Sequence, residues 1–282
     1  EMDLPVSMTY DGTGVKVDEQ ASWVGLKWNL DVGGRISRIA NGNPDDYISG
    51  GGTTFFTDTG FRTQALDYLT LEASEMTSVS AIQQYFEFMK ELATNKNRDF
   101  LADYFSINAP GVSEHVMLNI GDLQPVVMDN KRVQVTYATA GTSIDSWTIT
   151  GDDGTVYHFG TTGYTEKTKQ SDYNDPEGTT PSGTIEHNSS WLLKKIESPN
   201  KKDIYEFTYS NAGYWDEDYK GYRTSHVVNA EKIVNGTLVN GLPNPSFEKG
   251  LSDDQASGGA ADTNIQQTFL TEVKHNGKII IK

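Results

Sequence analysis

Ala21-Ser-Trp-Val-Gly-Leu-Lys-Trp-Asn-Leu30, followed by Gly33-Gly-Arg-Ile-Ser-Arg38, decides how this chain is read. Side chains of an extended segment alternate between two faces, so Val24, Leu26, Trp28 and Leu30 fall on one side. Gly33-Gly34 then supplies the positive-φ residues of a tight hairpin turn, with a second strand after it. Upstream, Leu4-Pro-Val-Ser-Met-Thr-Tyr10 and Val15-Lys-Val-Asp-Glu19 flank the glycine turn Asp11-Gly-Thr-Gly14. A chain that opens in this way builds β-scaffold, and Trp28, Gly33 and Gly34 are expected to carry the fold.

Composition points the same way. In 282 residues there are 27 glycines against 9 prolines, with 11% aromatics, the balance of a β-rich protein with tight turns. That length suffices to bury a substantial core. The formal charge of −16 argues against nucleic acid and anionic membrane surfaces, both of which require clustered Lys and Arg. Zero cysteines exclude disulfides, zinc thiolates and thiol catalysis. No apolar run approaches the roughly 20 residues of a membrane span, and no signal-peptide pattern is present. The chain begins at Glu1 and stops inside a strand-like Ile279-Ile-Ile-Lys282, so it is expected to be a piece of a longer polypeptide.

Three regions follow from the pattern: an N-terminal β region over 1–72, a helical insertion over 73–100, and a β-hairpin region over 101–282. In the insertion Val79, Ile82, Phe86, Met89 and Ala93 recur at helical spacing, which predicts a helix over 78–94 with a Ser80/Gln83 capping box. Its apolar stripe is expected to pack inward, covering a sheet edge. Alternation returns after Phe100: Val116, Leu118 and Ile120 share a face, as do Val133, Val135 and Tyr137, and later Tyr205, Phe207 and Tyr209. Trp147–Thr150 and Val156–Phe159 form a hairpin around Asp152-Asp-Gly154, making Trp147 and Gly154 structural. The polar stretches 161–188 and 243–264 are read as surface loops. A weak repeat joins Trp191–Ile196, a Pro199-Asn200 turn and Ile204–Phe207 to Phe269–Val273, an Asn276-Gly277 turn and Ile279-Ile280, with Glu231–Gly236 as a degenerate third copy. Such strand–turn–strand units bury their apolar faces only by stacking. The fold class is therefore mainly β: stacked antiparallel hairpins forming a curved sheet, sandwich or part of a β-shell, with one inserted helix.

Several of these segments, in order, resemble the N-terminal part of RHS/YD-repeat proteins of the Bacteroidetes type and the SpvB-like opening of toxin-complex shell proteins. The residues that carry the resemblance are Leu4–Tyr10, Gly14–Asp18, Ser22–Leu30, Gly33–Arg38, Pro44-Asp-Asp46, Ala102–Asn108 with Pro110-Gly111, Trp147–Thr150, Asp153–Gly160 and Ser190–Ile196. The resemblance implies a non-catalytic wall of a hollow β-shell that encloses or presents a variable C-terminal module, in some members a toxin. It also implies an extracellular or bacterial cell-surface location. The partners it implies are the rest of the same polypeptide and bacterial secretion or outer-membrane components. The tandem Tyr-Asp repeats and the self-cleaving core motif of that family are absent from these 282 residues, so no family catalytic residue transfers to any position here.

Reactive constellations are sparse. His115, His158, His187, His226 and His275 show no metal-ligand spacing, and neither Gly-x-Ser-x-Gly nor a phosphate-binding Gly-Lys loop occurs. No catalytic residue and no cofactor are expected. One weak Ca²⁺ candidate is the loop bearing Asp172, Asn174, Asp175 and Glu177, which offers hard oxygens without the ordered spacing of a calcium loop. Paired carboxylates of a glycosidase could be sought in Asp216-Glu-Asp218 or Glu72 with Glu75. Tyr214, Trp215 and Tyr219 are candidate glycan contacts, because sugar rings stack on aromatics. They define the alternative reading, an extracellular glycan-binding β-sandwich module. Asn244–Gly250 resembles the first strand of a carbohydrate-binding jelly roll but is too short to count. Fully buried, Trp28, Trp147 and Trp191 would dominate the core, with Trp23 as the substitute for Trp28.

Overall fold

A computed structural model describes residues 2–13, 24–46, 53–69, 78–94, 98–129, 132–173, 181–215, 238–239, 242–243 and 261–282. The chain is mainly β, with 51% of it in strands and two helices among the described residues. The first half runs β1 (Ser7–Tyr10), β2 (Trp28–Asp31), β3 (Arg35–Ile39), β4 (Thr53–Thr54), α1 (Thr59–Leu69), α2 (Val79–Thr94), β5 (Arg98–Asp99), β6 (Tyr104–Ala109) and β7 (Val112–Leu118). There follow β8 (Pro125–Val127), β9 (Gln134–Ala140), β10 (Ser143–Thr150), β11 (Val156–Gly160) and β12 (Thr165–Tyr173). The last part holds β13 (Pro181–Glu197), β14 (Ile204–Trp215), β15 (Leu238–Val239), β16 (Leu242–Pro243), β17 (Ala261–His275) and β18 (Lys278–Ile281).

The residues cluster into two compact units. One comprises Glu1–Thr168, Glu186–Asp216 and Ile265–Lys282; the other comprises Lys169–Ile185 and Glu217–Asn264. In the smaller unit the described residues are strand segments of β12, β13 and β17 together with the β15–β16 pair. The larger unit contains the core described below.

Its sheet is antiparallel and branches at β13. One limb runs β13-β3-β6-β7-β8 and the other β13-β11-β10-β9. The branching is possible because different stretches of the long strand pair differently: Ser190–Leu192 with β3, Leu193–Glu197 with β11, and Lys195–Glu197 also with β14. The limbs fold over one another because each presents every second residue inward. Phe105 on β6 and Trp147 on β10 have ring centroids 4.8 Å apart, and Trp191 on β13 closes the triangle at 5.8 and 5.7 Å. Ile36, Ile107, Val116, Ile144, Ile149, Phe159, Leu193 and Phe207 complete this core. Each side chain buried so fully contributes about 1.5–3 kcal/mol.

The predicted alternations in β7, β9 and β14 are present, with Val116, Leu118, Val133, Val135, Tyr205 and Phe207 buried. The β10–β11 hairpin turns at Gly154 with φ of +85°, and Asp153 caps it by accepting the Thr155 amide at 2.8 Å. Both copies of the repeat are hairpins, β13–β14 and β17–β18, and they lie edge to edge through β14–β17. Their turns interlock: the Ile204 amide donates to Asn276 Oδ1 at 2.9 Å, and the Asn276 amide donates to the Ile204 carbonyl at 2.8 Å. Residues 231–236 lie outside the described residues.

Other expectations need correction. Strand β2 does not begin at Val24, because Gly25 (φ +123°) and Lys27 (φ +66°) turn the backbone and break the period of two. Trp28 is consequently 40% exposed, its ring tilted against Tyr10 with centroids 5.2 Å apart in a separate β1–β2 ribbon, rather than buried in the core. Gly33 does take a positive φ of +88°, yet the turn makes no β2–β3 hairpin; it hands the chain from one sheet to another. Gly34 sits where an added Cβ would lie 2.9 Å from the Asn108 carbonyl, so β6 passes close by. Trp23 lies outside the described residues. Residues 165–173 and 181–188 are strand and not loop, as is the end of the second polar stretch from Ala261. They are polar, so they lack the apolar run that would have marked them as strand, and a neighbouring strand supplies their ladder.

The predicted helix over 78–94 is α2, beginning after Ser78, whose carbonyl accepts the Ile82 amide, so Ser80 lies inside the first turn. A second helix, α1, occupies part of the expected β region. Asp58 caps it, its Oδ1 accepting the Phe61 amide at 2.8 Å, although Thr59, Gly60 and Thr63 are weak helix formers. The two helices pack through Phe61, Ala65, Tyr68 and Phe88, with Tyr68 stacked on Phe88 at 4.5 Å. The expected inward stripe of α2 faces outward instead, with Val79 72% and Phe86 65% exposed. The Tyr85/Phe88 face meets aromatic partners on α1, and that face wins.

Candidate functional site

Above the aromatic triangle lies a cluster of buried charges. Strand β3 ends its inward run at Arg38, whose side chain is wholly buried because the alternation that buries Ile36 must bury residue 38 as well. Its Nη1 meets Asp46 Oδ1 at 2.7 Å and its Nε lies 3.4 Å from Asp103 Oδ2. The guanidinium also lies over Phe105 and Trp191, 5.3 and 5.1 Å from the ring centroids. Nε and Nη2 make no hydrogen bond, so the ring faces take the place of further acceptors.

Each carboxylate of the cluster fastens a different strand or loop. Asp46 Oδ2 accepts the Ile144 amide at 2.7 Å, reaching across 98 residues to β10. Asp103 accepts the amides of Asn41 and Asp45, each at 2.9 Å, and the Asp103 amide donates back to the Asp45 carboxylate at 3.2 Å. Thr54 Oγ1 donates to the Asp45 carbonyl. Asp99 accepts the amide of Asn43 at 2.6 Å. The segment 40–46 is thus pinned by its own backbone amides to carboxylates that follow β4 and α2 in sequence. A second tie is Glu166 on β12, which is buried, accepts from Thr268 on β17 at 2.9 Å and meets Arg35 on β3 at 3.1 Å.

Three carboxylates face one guanidinium, and that imbalance sets the titration. Burial, then the neighbouring Asp103 charge, pushes Asp45 well above the usual carboxylate range. Burial also raises Asp103, but the Arg38 charge opposes it. Asp45 therefore holds a proton that lets it sit beside Asp103. His187 on β13 is lowered to about 4 by burial and by Arg38, so it is neutral at pH 7. The cluster is a clamp closed by an internal cation.

A concavity of the larger unit lies where its two limbs end. Among the described residues β8 pairs with β7 and β9 with β10, and a groove of about 610 Å³ opens between residues 123–125 and 136–142. Its floor is Tyr137, whose hydroxyl donates to the Leu123 carbonyl at 3.0 Å and whose ring lies 5.4 Å from Trp147 and 6.1 Å from Phe56. None of its eleven lining residues is charged, and Thr57, Thr136, Thr139 and Thr142 supply hydroxyls.

Of the residues singled out from sequence, Trp147 and Trp191 meet in the core, whereas Trp28 does not join them. Asp172 lies within β12, not in a loop; Asn174, Asp175 and Glu177 lie outside the described residues. Tyr214 and Trp215 end β14 with their backbones paired to Gln266 and Ile265, while Tyr219, Asp216–Asp218, Glu72, Glu75 and Asn244–Gly250 lie outside the described residues. His115 pairs with Asp129 at 2.7 Å, His158 with Glu197 at 3.1 Å and His275 with Asp203 at 3.1 Å; His226 is outside the described residues. Among the described residues no group of three or more His, Asp or Glu is arranged to hold a metal ion, and no helix is long and apolar enough to cross a membrane. Sequence reasoning missed the clamp. Its signals were an arginine at an inward position of β3 and the tandem carboxylates of Pro44-Asp-Asp46. No protein-family model, no curated protein and no solved structure matches this chain.

Proposed function

We propose that this chain is a non-catalytic structural segment of a large secreted or cell-surface RHS/YD-repeat protein. It forms part of the β-wall that encapsulates or presents a C-terminal module. The observation that carries this reading is the edge-to-edge stacking of the β13–β14 and β17–β18 hairpins, interlocked at Asn276 and Ile204. A sheet assembled in that way lengthens one hairpin at a time, and each new hairpin pairs the open backbone edge of the one before it. Strand β18 pairs with β17 alone among the described residues, and Ile279 and Ile280 on it are about half exposed, an edge suited to a following hairpin. The clamp and the aromatic triangle supply rigidity, which is what a wall requires.

The test is the coding sequence beyond Lys282 together with electron microscopy of the whole polypeptide. Tandem Tyr-Asp repeats and a hollow particle with this chain in its wall are expected. A stop codon, or a solid particle with this chain as a separate appendage, would sink the proposal. A glycan array with Trp215→Ala as control addresses the alternative glycan-binding module; binding abolished by that substitution would favour it.

A further inference from the structure

We propose that segment 40–46 is a proton-held latch. The buried pair Asp45 and Asp103 keeps it docked while the two carboxyls hold one proton between them, and loss of that proton releases the segment while the core stays folded. The proposal concerns the clamp alone and stands independently of the wall reading.

The first ground is how the pair is built. Each carboxyl accepts the other residue's backbone amide, Asp103 taking that of Asp45 at 2.9 Å and Asp45 taking that of Asp103 at 3.2 Å. This reciprocity brings the two acids together, and with Asp45 1% and Asp103 0% exposed, water does not screen them. Two carboxyls that share a buried site do not both ionise at neutral pH. The second ground is the count of charges. Arg38 on β3 gives its Nη1 to Asp46 at 2.7 Å and sets its Nε 3.4 Å from Asp103, so Asp45 has no ion pair of its own among the described residues. The other ionisable groups that face Asp45 are Asp46 in its own segment and Tyr137 on β9, and neither is a cation. His187 on β13 faces Arg38 and Asp46 and is neutral, Asp99 on β5 holds the Asn43 amide, and Arg62 on α1 faces Tyr137.

The third ground is what hangs on the pair. Asp103 also accepts the Asn41 amide at 2.9 Å, so the segment is fastened near both ends to this one side chain. Asp46, next to Asp45, accepts the Ile144 amide at 2.7 Å, which ties the β3 limb to the β10 limb. A second charge on the pair sets like charges against each other at the point of attachment. Strands β3 and β6 keep their own ladders to β13 and β7, so the segment yields before the sheet does. The sign follows from burial, which raises Asp45: the latch is closed at neutral pH and opens as pH rises into the alkaline range.

The test uses the whole chain and two readouts taken from neutral to alkaline pH. Carbon NMR of the aspartate carboxyls follows the proton itself, and hydrogen exchange, corrected for the intrinsic rate, follows the amides of Asn41, Asp45 and Ile144. One carboxyl of the pair should remain protonated at neutral pH and titrate on the alkaline side. Across that titration the opening of the three amides should rise by up to about tenfold per pH unit, the slope of a single proton. The amides of Ile107 and Ile149, in strands paired on both sides, should keep their protection. Asp45→Asn keeps an oxygen for the Asp103 amide and has no proton to lose, so its segment should stay closed across the same range. Should that variant fail to fold, the carboxyl titration of the unsubstituted chain still decides. The proposal is overturned if both carboxyls of the pair are ionised at neutral pH, or if the three amides keep constant protection throughout. It is equally overturned if they open only together with Ile107 and Ile149, or if Asp45→Asn opens as the wild type does.

Discussion

Replacing Arg38 by methionine removes the only cation that faces Asp46 and Asp103 among the described residues, while keeping most of the side-chain volume. Both carboxylates are at most 3% exposed, so neither can turn to water for compensation. Breaking a buried pair in this way costs about 3–5 kcal/mol. Loss of the two ring contacts adds about 1–2 kcal/mol, partly returned by thioether packing on Phe105 and Trp191. A net loss of about 4 kcal/mol is expected, equivalent to a fall of roughly 8–16 °C in the thermal midpoint for a chain of this size. The decisive measurement is a double-mutant cycle with Asp46→Asn, read by urea unfolding at pH 7. Asparagine still offers an oxygen to the Ile144 amide but needs no counter-charge. Asp46→Asn should therefore destabilise the wild type, yet raise the stability of Arg38→Met by about 1–3 kcal/mol. Strict additivity, or a loss below about 1 kcal/mol for Arg38→Met, would refute the claim that this cluster is a charge-compensated clamp.

Other consequences are directly measurable. Trp147→Ala should cost about 3–5 kcal/mol, whereas Trp28→Ala on the exposed ribbon should cost about 1 kcal/mol or less; urea midpoints of the two variants decide it. Asp45 has a raised folded-state pKa, so its contribution is complete below the unfolded carboxylate value near 4 and is lost as pH rises through the folded value. His187 works in the opposite sense, its lowered value withdrawing stability as pH falls below about 6.5. The difference between the wild type and Asp45→Asn isolates the first effect: stability relative to the variant should decline from acid toward alkaline pH, and a flat difference would count against the protonated pair. Gly160→Ala should cost about 2–5 kcal/mol, since its φ is +83° and an added Cβ would lie 2.4 Å from the Asp145 carbonyl and 2.6 Å from Trp191 Cδ1. Wild-type stability in that variant would mean the turn has room to move.

The β class, the hairpin at Gly154, the helix over 78–94 and the paired hairpins were legible because each rests on a local signal, period two, period 3.6 or a turn dipeptide. Partnership was not. Nothing in Gly33-Gly34 says that β2 will pair backward with β1, because a turn specifies a change of direction and leaves the choice of sheet to tertiary contacts. Helix α2 carries apolar residues on more than one face, and only the aromatics of α1 decide which is buried. Strands β12 and β13 begin in polar, Thr-rich sequence that resembles loop until a neighbouring strand supplies the hydrogen bonds. The clamp was hidden for a related reason: Arg38, Asp46 and Asp103 look like ordinary surface charges, and their burial follows from pairings more than 50 residues apart.

Branching at β13 also has a consequence for synthesis. Ser37 pairs with Ser190, about 150 residues later in the chain, so β3 waits for that partner throughout translation of everything between. At ribosomal speeds of about 5–20 residues per second, the delay is on the order of 10–30 s. During it Ile36 and Phe105 remain without the indole that finally covers them, which makes the nascent chain a natural client for chaperones until residue 191 has emerged.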